Sequence, residues 1–151
     1  MKIAVLFTKR EDMEESYNQD WEGRDTNDDA ESVMKALKEL GHEVDIKWAN
    51  EIQPGEYDLV MVHVANLALE LASNNVSYVF QHHDHHAYHY GKDSTIYKQN
   101  KEAMEKSIFS LVPARYLVDY FDLPNVSYLS LGVDNSFFKP KNDCIQNTRR
   151  N

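Results

Sequence analysis

The sequence predicts an α/β fold: a doubly wound, mostly parallel Rossmann-like sheet of about six strands with helices on both faces. Three observations point there. Short apolar runs alternate along the chain with amphipathic, helix-periodic segments, the pattern of successive βαβ units. The run Lys2 to Phe7 is almost continuously apolar, as a strand buried on both faces reads. The Leu-Gly-His-Glu-Val junction at residues 40–44 joins a helix end to the next strand.

The elements follow in order. Residues 8–27 are polar and charged, with Met13, Tyr17 and Trp21 as their main apolar anchors. A loop of that length is uncommon inside a compact domain, and such loops often serve as lids or binding segments. Thr26 or Asn27 caps a helix whose first turn carries Asp28, Asp29 and Glu31. Ala30, Val33, Met34, Leu37 and Leu40 form its apolar stripe, and Gly41 ends it. His42 to Trp48 alternates as a second strand, Pro54-Gly55 marks a turn, and Tyr57 to Val64 is the third strand. A short helix over Leu67 to Ala72 precedes a fourth strand, Val76 to Gln81. A helix over Thr95 to Lys106 shows Ile96, Tyr97, Ala103 and Met104 on its apolar side. Ser107 to Val112 is the fifth strand, Ala114 to Phe121 a helix and Val126 to Leu131 the sixth strand. Residues 1–140 thus read as one domain, and 141–151 as a polar tail or the start of an interdomain linker. Right-handed crossovers favour a strand order such as 3-2-1-4-5-6. Ligands in such sheets sit beyond the carboxyl ends of the strands, which here carry Thr8, His63, Gln81 to Asp84, Pro113 and Gly132.

Composition narrows the function. The 151 residues fit one domain, and a net charge of −9 disfavours autonomous binding to nucleic acid. The single thiol, Cys144, forms no internal disulfide, which suits a reducing, cytoplasmic compartment. The apolar start is too short for a signal peptide, and no apolar stretch approaches the roughly 18 residues of a transmembrane segment.

The first loop lacks the Gly-x-Gly-x-x-Gly turn that lets a backbone approach a pyrophosphate, which argues against an NAD or FAD site. The second notable feature is Gln81-His82-His83-Asp84-His85-His86-Ala87-Tyr88-His89, with five His and one Asp in eight residues. His and Asp ligate zinc, and a metal site would suggest a hydrolase. Neighbours on an extended segment point apart, however, so this spacing converges poorly on one ion, and no metal is assigned. The same histidines also read as solvated loop residues, and Asp84 as the cap of the next turn. His63, at the end of the third strand, faces the cleft or is a buried structural histidine. No Ser-His-Asp, Cys-His or paired-carboxylate arrangement stands out, and the aromatic residues of the helices read as core.

The stretch Ser110-Leu111-Val112-Pro113-Ala114-Arg115-Tyr116-Leu117, then Val126 to Leu131 and Gly132-Val133-Asp134 with Phe137-Phe138-Lys139-Pro140, resembles a known family. It is similar to the end of the N-terminal, acceptor-side domain of GT-B glycosyltransferases of the retaining family 4, group 1 type. The resemblance implies an enzyme that transfers a sugar from a UDP- or GDP-sugar, at times at the periphery of a membrane. It implies catalytic roles for His83 first and His82 next, just after the fourth strand. Asp84, His63 and Gly132 would then contact the substrate. The family's glycine pair in the first loop is replaced by Trp21-Glu22-Gly23-Arg24-Asp25, and Pro113 stands where a Ser is usual. The family's nucleotide-binding second domain has no counterpart, so the chain is expected to hold no cofactor and to be inactive alone. Its expected partners are a second GT-B domain or another copy of itself. The alternatives are a non-catalytic Rossmann-like module for a glycan or protein, and the N-terminal domain of an ATP-grasp ligase. The Gly-Val-Asp exit with Phe138 and Pro140 argues against the latter.

Overall fold

The computed structural model describes residues 1–7, 28–48, 51–83 and 86–130. One all-parallel sheet runs through it, made of β1 (Lys2–Phe7), β2 (Glu43–Trp48), β3 (Leu59–Val62), β4 (Val79–Gln81), β5 (Phe109–Val112) and β6 (Val126–Tyr128). Five helices accompany it among the described residues: α1 (Asp28–Glu39), α2 (Ala65–Ser73), α3 (His86–His89), α4 (Thr95–Lys106) and α5 (Arg115–Phe121). This is the expected doubly wound, Rossmann-like class.

The strand order is not the expected one. It runs β2-β1-β3-β4-β5-β6, so β3 pairs with β1 and not with β2. Ile3 lies beside Leu59 and Val5 beside Met61. The reason lies in the strands themselves. β2, Glu-Val-Asp-Ile-Lys-Trp, alternates as an edge strand does, whereas β3, Leu-Val-Met-Val, is apolar throughout and suits an interior position. The order reverses between β1 and β3, and this topological switch point is where such sheets open a crevice at their carboxyl edge.

Strand residues alternate between two faces. Ala4, Leu6, Val60, Val62, Phe80 and Val112 face the larger core, closed by Ala68 and Leu71 of α2, Met104 of α4, and Leu117 and Phe121 of α5. Ile3, Val5 and Val44 face a smaller one, closed by Val33, Met34 and Leu37 of α1. The partition follows from handedness. The crossover from β1 to β2 runs one way along the sheet and those from β3 to β6 the other, so right-handed connections fall on opposite faces. Each fully buried Leu, Val or Phe contributes about 1.5–3 kcal/mol.

Some boundaries shift. The third and fourth strands are shorter than their apolar runs, although Val76 and Tyr78 are buried in the lead-in to β4. Leu40 falls beyond α1 and is exposed, as the chain turns at Gly41 with φ +85°. Ile96 is exposed while Tyr97, Ala103 and Met104 are buried. Ser94 caps α4 by accepting a bond from the Tyr97 N–H at 3.1 Å. The expected loop 8–27, including its capping residues, and the tail 141–151 lie outside the described residues.

The amino-terminal rim of the sheet is closely tied. The Lys2 N–H donates to Asp58 Oδ2 at 2.7 Å, and the Asp58 N–H returns to the Lys2 carbonyl at 2.9 Å. The Tyr57 hydroxyl donates to Asp45 at 3.0 Å, and the Lys2 ammonium lies 4.5 Å from the centre of the Tyr57 ring. Burial, and then the Asp45 carboxylate, hold the Tyr57 phenol well above its ordinary pKa, so it stays a donor. Further along the rim, Asn125 Nδ2 donates to the carbonyls of Met104 at 2.8 Å and Ser107 at 3.1 Å. The Ser107 and Ser110 hydroxyls share a bond of 2.8 Å, and the Tyr78 hydroxyl donates to the Ala103 carbonyl at 2.7 Å. Ser110, fully buried, is thereby a structural residue.

Candidate functional site

β3 and β4 run side by side, with Met61 beside Val79 and Val62 beside Phe80. Their carboxyl ends therefore deliver His63 and the pair His82-His83 to one edge of the sheet, next to the switch point. Alternation sorts these three histidines. His63 and His83 continue the face of Met61 and Gln81, and His82 continues the face of Phe80.

His63 Nδ1 lies 2.5 Å from His83 Nε2, with ring centroids 4.6 Å apart and planes tilted by 50°. One nitrogen carries the hydrogen and the other accepts it. Burial, and secondly the charge that His83 can carry, lower the His63 pKa from 6.5 to about 4. His63 is therefore a neutral imidazole at neutral pH. Its second nitrogen, Nε2, is buried and has no hydrogen-bond partner among the described residues. Among the described residues, Nε2 is thus left with a bare lone pair if Nδ1 donates to His83, or with an unbonded N–H if Nδ1 accepts. Either state costs about 1–3 kcal/mol. With His63 neutral, the hydrogen-bonded pair can orient a hydroxyl or pass a proton between its rings.

His82 is placed differently. It is 2% exposed, its N–H donates to the Leu111 carbonyl at 2.8 Å, and its ring meets Phe121 edge-on at 5.6 Å and Phe80 at 6.1 Å. It belongs to the larger core, away from the His63–His83 contact. Asp84 and Gly132, the other expected site residues, lie outside the described residues, as does Gly23. Among the described residues no group of three or more His, Cys, Asp or Glu is arranged to hold a metal ion. Pro113 is half-buried just beyond β5, and Arg115 is exposed with its guanidinium 5.0 Å from the Tyr128 ring centre.

Sequence reasoning missed a feature of the same rim. Ala87 of α3 is fully buried and anchors that short helix, leaving Tyr88 and Tyr90 exposed. Tyr88 meets Tyr116 of α5 at 4.9 Å and Tyr120 at 5.1 Å, each edge to face, and Tyr120 meets Tyr97 of α4 at 5.3 Å. The signal was available, since Tyr88, Tyr90 and Tyr116 belong to no apolar stripe, but aromatic residues near helices were read as core.

No described helix is long and apolar enough to cross a membrane. Comparison of the chain with family models, with curated proteins and with solved structures finds no match, so its reading rests on the geometry above.

Proposed function

We propose that this chain is the acceptor-side, Rossmann-like domain of a glycosyltransferase that draws on a UDP- or GDP-sugar. The observation that supports this best is the His63–His83 pair at the carboxyl edge beside the β1/β3 switch point, with His63 held neutral. An uncharged imidazole suits hydrogen bonding to a sugar hydroxyl. The absence of a glycine-rich first turn fits a donor diphosphate that is gripped by a second domain, outside these 151 residues. His83 is the residue that meets the acceptor, and His63 positions it from beneath. The expected result of calorimetry with UDP- and GDP-sugars is no saturable heat from this chain. Oligosaccharide acceptors shift the imidazole signals of His83 and His63 in NMR titration, and His83→Ala abolishes the response at His63. Saturable donor binding, or sugar transfer by the purified chain, would sink this reading.

A second reading, a non-catalytic module that holds a protein or glycan, is favoured by one observation. Among the described helices only α1 lies on the smaller-core face, over β1, β2 and the near side of β3. Phe109 of β5, on that same face, is 38% exposed, and Leu129 beyond β6 is 48% exposed. Here His83→Ala leaves partner binding intact, which separates the two readings.

A further inference from the structure

We infer that Tyr88, Tyr116 and Tyr120 form a saccharide-binding shelf, a site for the apolar face of a neutral sugar ring. The shelf is distinct from the histidine pair. It lies on the larger-core side of the carboxyl rim, where α3 and the first turns of α4 and α5 emerge, whereas His63 and His83 occupy the opposite face of the sheet.

Its construction is that of a fixed platform. Ala87 is 0% exposed, and the Tyr120 hydroxyl donates to the Ala87 carbonyl at 3.4 Å, so α3 is held to α5 from below. Tyr88 packs edge to face between Tyr116 and Tyr120, at 4.9 and 5.1 Å. Tyr120 is backed in turn by Tyr97, which stacks parallel on the buried Phe121 at 5.4 Å. Gly91, at φ +77°, turns the chain sharply away after Tyr90. The rings are thus ordered before any ligand arrives, and stacking on them costs little conformational entropy. Yet Tyr88 remains 49% and Tyr116 42% exposed, an unusual surplus of aromatic surface at one spot.

The chemistry selects the occupant. Tyr88 and Tyr116 bear hydroxyls and the exposed His89 ring lies 6.2 Å from Tyr88, so the shelf offers flat apolar surface and hydrogen-bonding groups together, matching a pyranose with its C–H face and equatorial hydroxyls. Along the chain, Lys92 and Arg115 are matched by the neighbouring Asp93 and Asp119. Both cations already lie over rings, Lys92 at 5.0 Å from Tyr120 and Arg115 at 5.0 Å from Tyr128. An anionic ligand finds no excess positive field. A single-stranded nucleic acid, which also stacks on aromatic rings, needs a basic track for its backbone, and the chain carries −9. A neutral saccharide, which stacks on flat rings and hydrogen-bonds to phenols, is the ligand we assign.

The test uses the whole chain and three neutral probes: maltotetraose, cellotetraose and chitotetraose. Followed by NMR, at least one of them shifts the ring signals of Tyr88 and Tyr116, with a Kd on the order of 1 mM as suits a small, half-exposed ligand. Tyr88→Ala and Tyr116→Ala each weaken this binding at least tenfold. Tyr88→Phe, which keeps the ring, weakens it only a few-fold. Both rings are half-exposed, so thermal melting of the variants serves as the folding control, and Tyr88→Phe supplies the comparison should an alanine variant unfold. Absence of ring shifts with all three sugars overturns the shelf. So does binding that Tyr88→Ala leaves unchanged, or tighter binding of a thymidine decanucleotide than of any sugar. Imidazole shifts of His63 and His83 without tyrosine shifts would leave the proposed transferase role standing and the shelf refuted; the converse pattern would do the opposite.

Discussion

The two rims of the sheet solve the same problem in opposite ways. At the amino-terminal rim, polar groups from buried to exposed are bonded to one another: Ser107 to Ser110 in the interior, Asn125 to two carbonyls and Tyr57 to Asp45 half-buried, Lys2 to Asp58 at the surface. At the carboxyl rim, half-buried His63 has one nitrogen bonded, while its buried Nε2 has no partner among the described residues. The contrast teaches where the molecule is built for stability and where it leaves binding capacity. A buried polar atom that the surrounding fold leaves without a partner is a standing cost, which fits the ligand-facing role proposed for this pair.

The comparison can be broken in three places, beginning with the largest effect. Asn125→Ala strips donors from the buried carbonyls of Met104 and Ser107, and is expected to lower unfolding free energy by about 3 kcal/mol in urea titration. A loss below half of that would show that the amino rim is less dependent on its bonds than its geometry implies. The second test is acidification. The folded pKa of His63, about 4, lies below its ordinary 6.5, so the unfolded chain binds the extra proton first. The stabilising contribution is present above pH 6.5 and is lost as pH falls towards 4, by at most about 3 kcal/mol. His63→Leu should flatten that segment of the stability profile, and an unchanged slope would assign the acid sensitivity elsewhere. The smallest effect is that of Tyr57→Phe, which loses one half-exposed bond to Asp45 and should cost about 1 kcal/mol.

Much of the fold was legible because it rests on local pattern. The continuous run of β1, the stripe Val33, Met34 and Leu37, and the bounds of α4 at Thr95 and Lys106 all read directly from residue order. The strand order was misread although its clue was present, in the alternation of β2 and the unbroken apolar run of β3. Both orders share the same βαβ alternation, so only the comparison of edge with interior character tells them apart. His63 and His83 were each singled out, but their contact was not foreseen. It spans 20 residues and depends on the register that sets Met61 beside Val79. The separation of His82 from His83 needed only the two-residue period of an extended chain, yet it became meaningful once Phe80 and Phe121 were seen to enclose His82. The tyrosine shelf was least legible, because two separate helices form it, a third backs it, and no single segment displays it.

The ring geometry of that shelf has an optical consequence. Four phenols, Tyr97, Tyr120, Tyr88 and Tyr116, are linked in a chain of centroid separations between 4.9 and 5.3 Å, each pair at a wide angle. Transition dipoles that close and that oblique couple in a chiral sense, so the packing of α3 against α4 and α5 writes its own circular-dichroism band in the tyrosine region. The protein thereby carries an intrinsic, label-free reporter of whether these three helices are assembled.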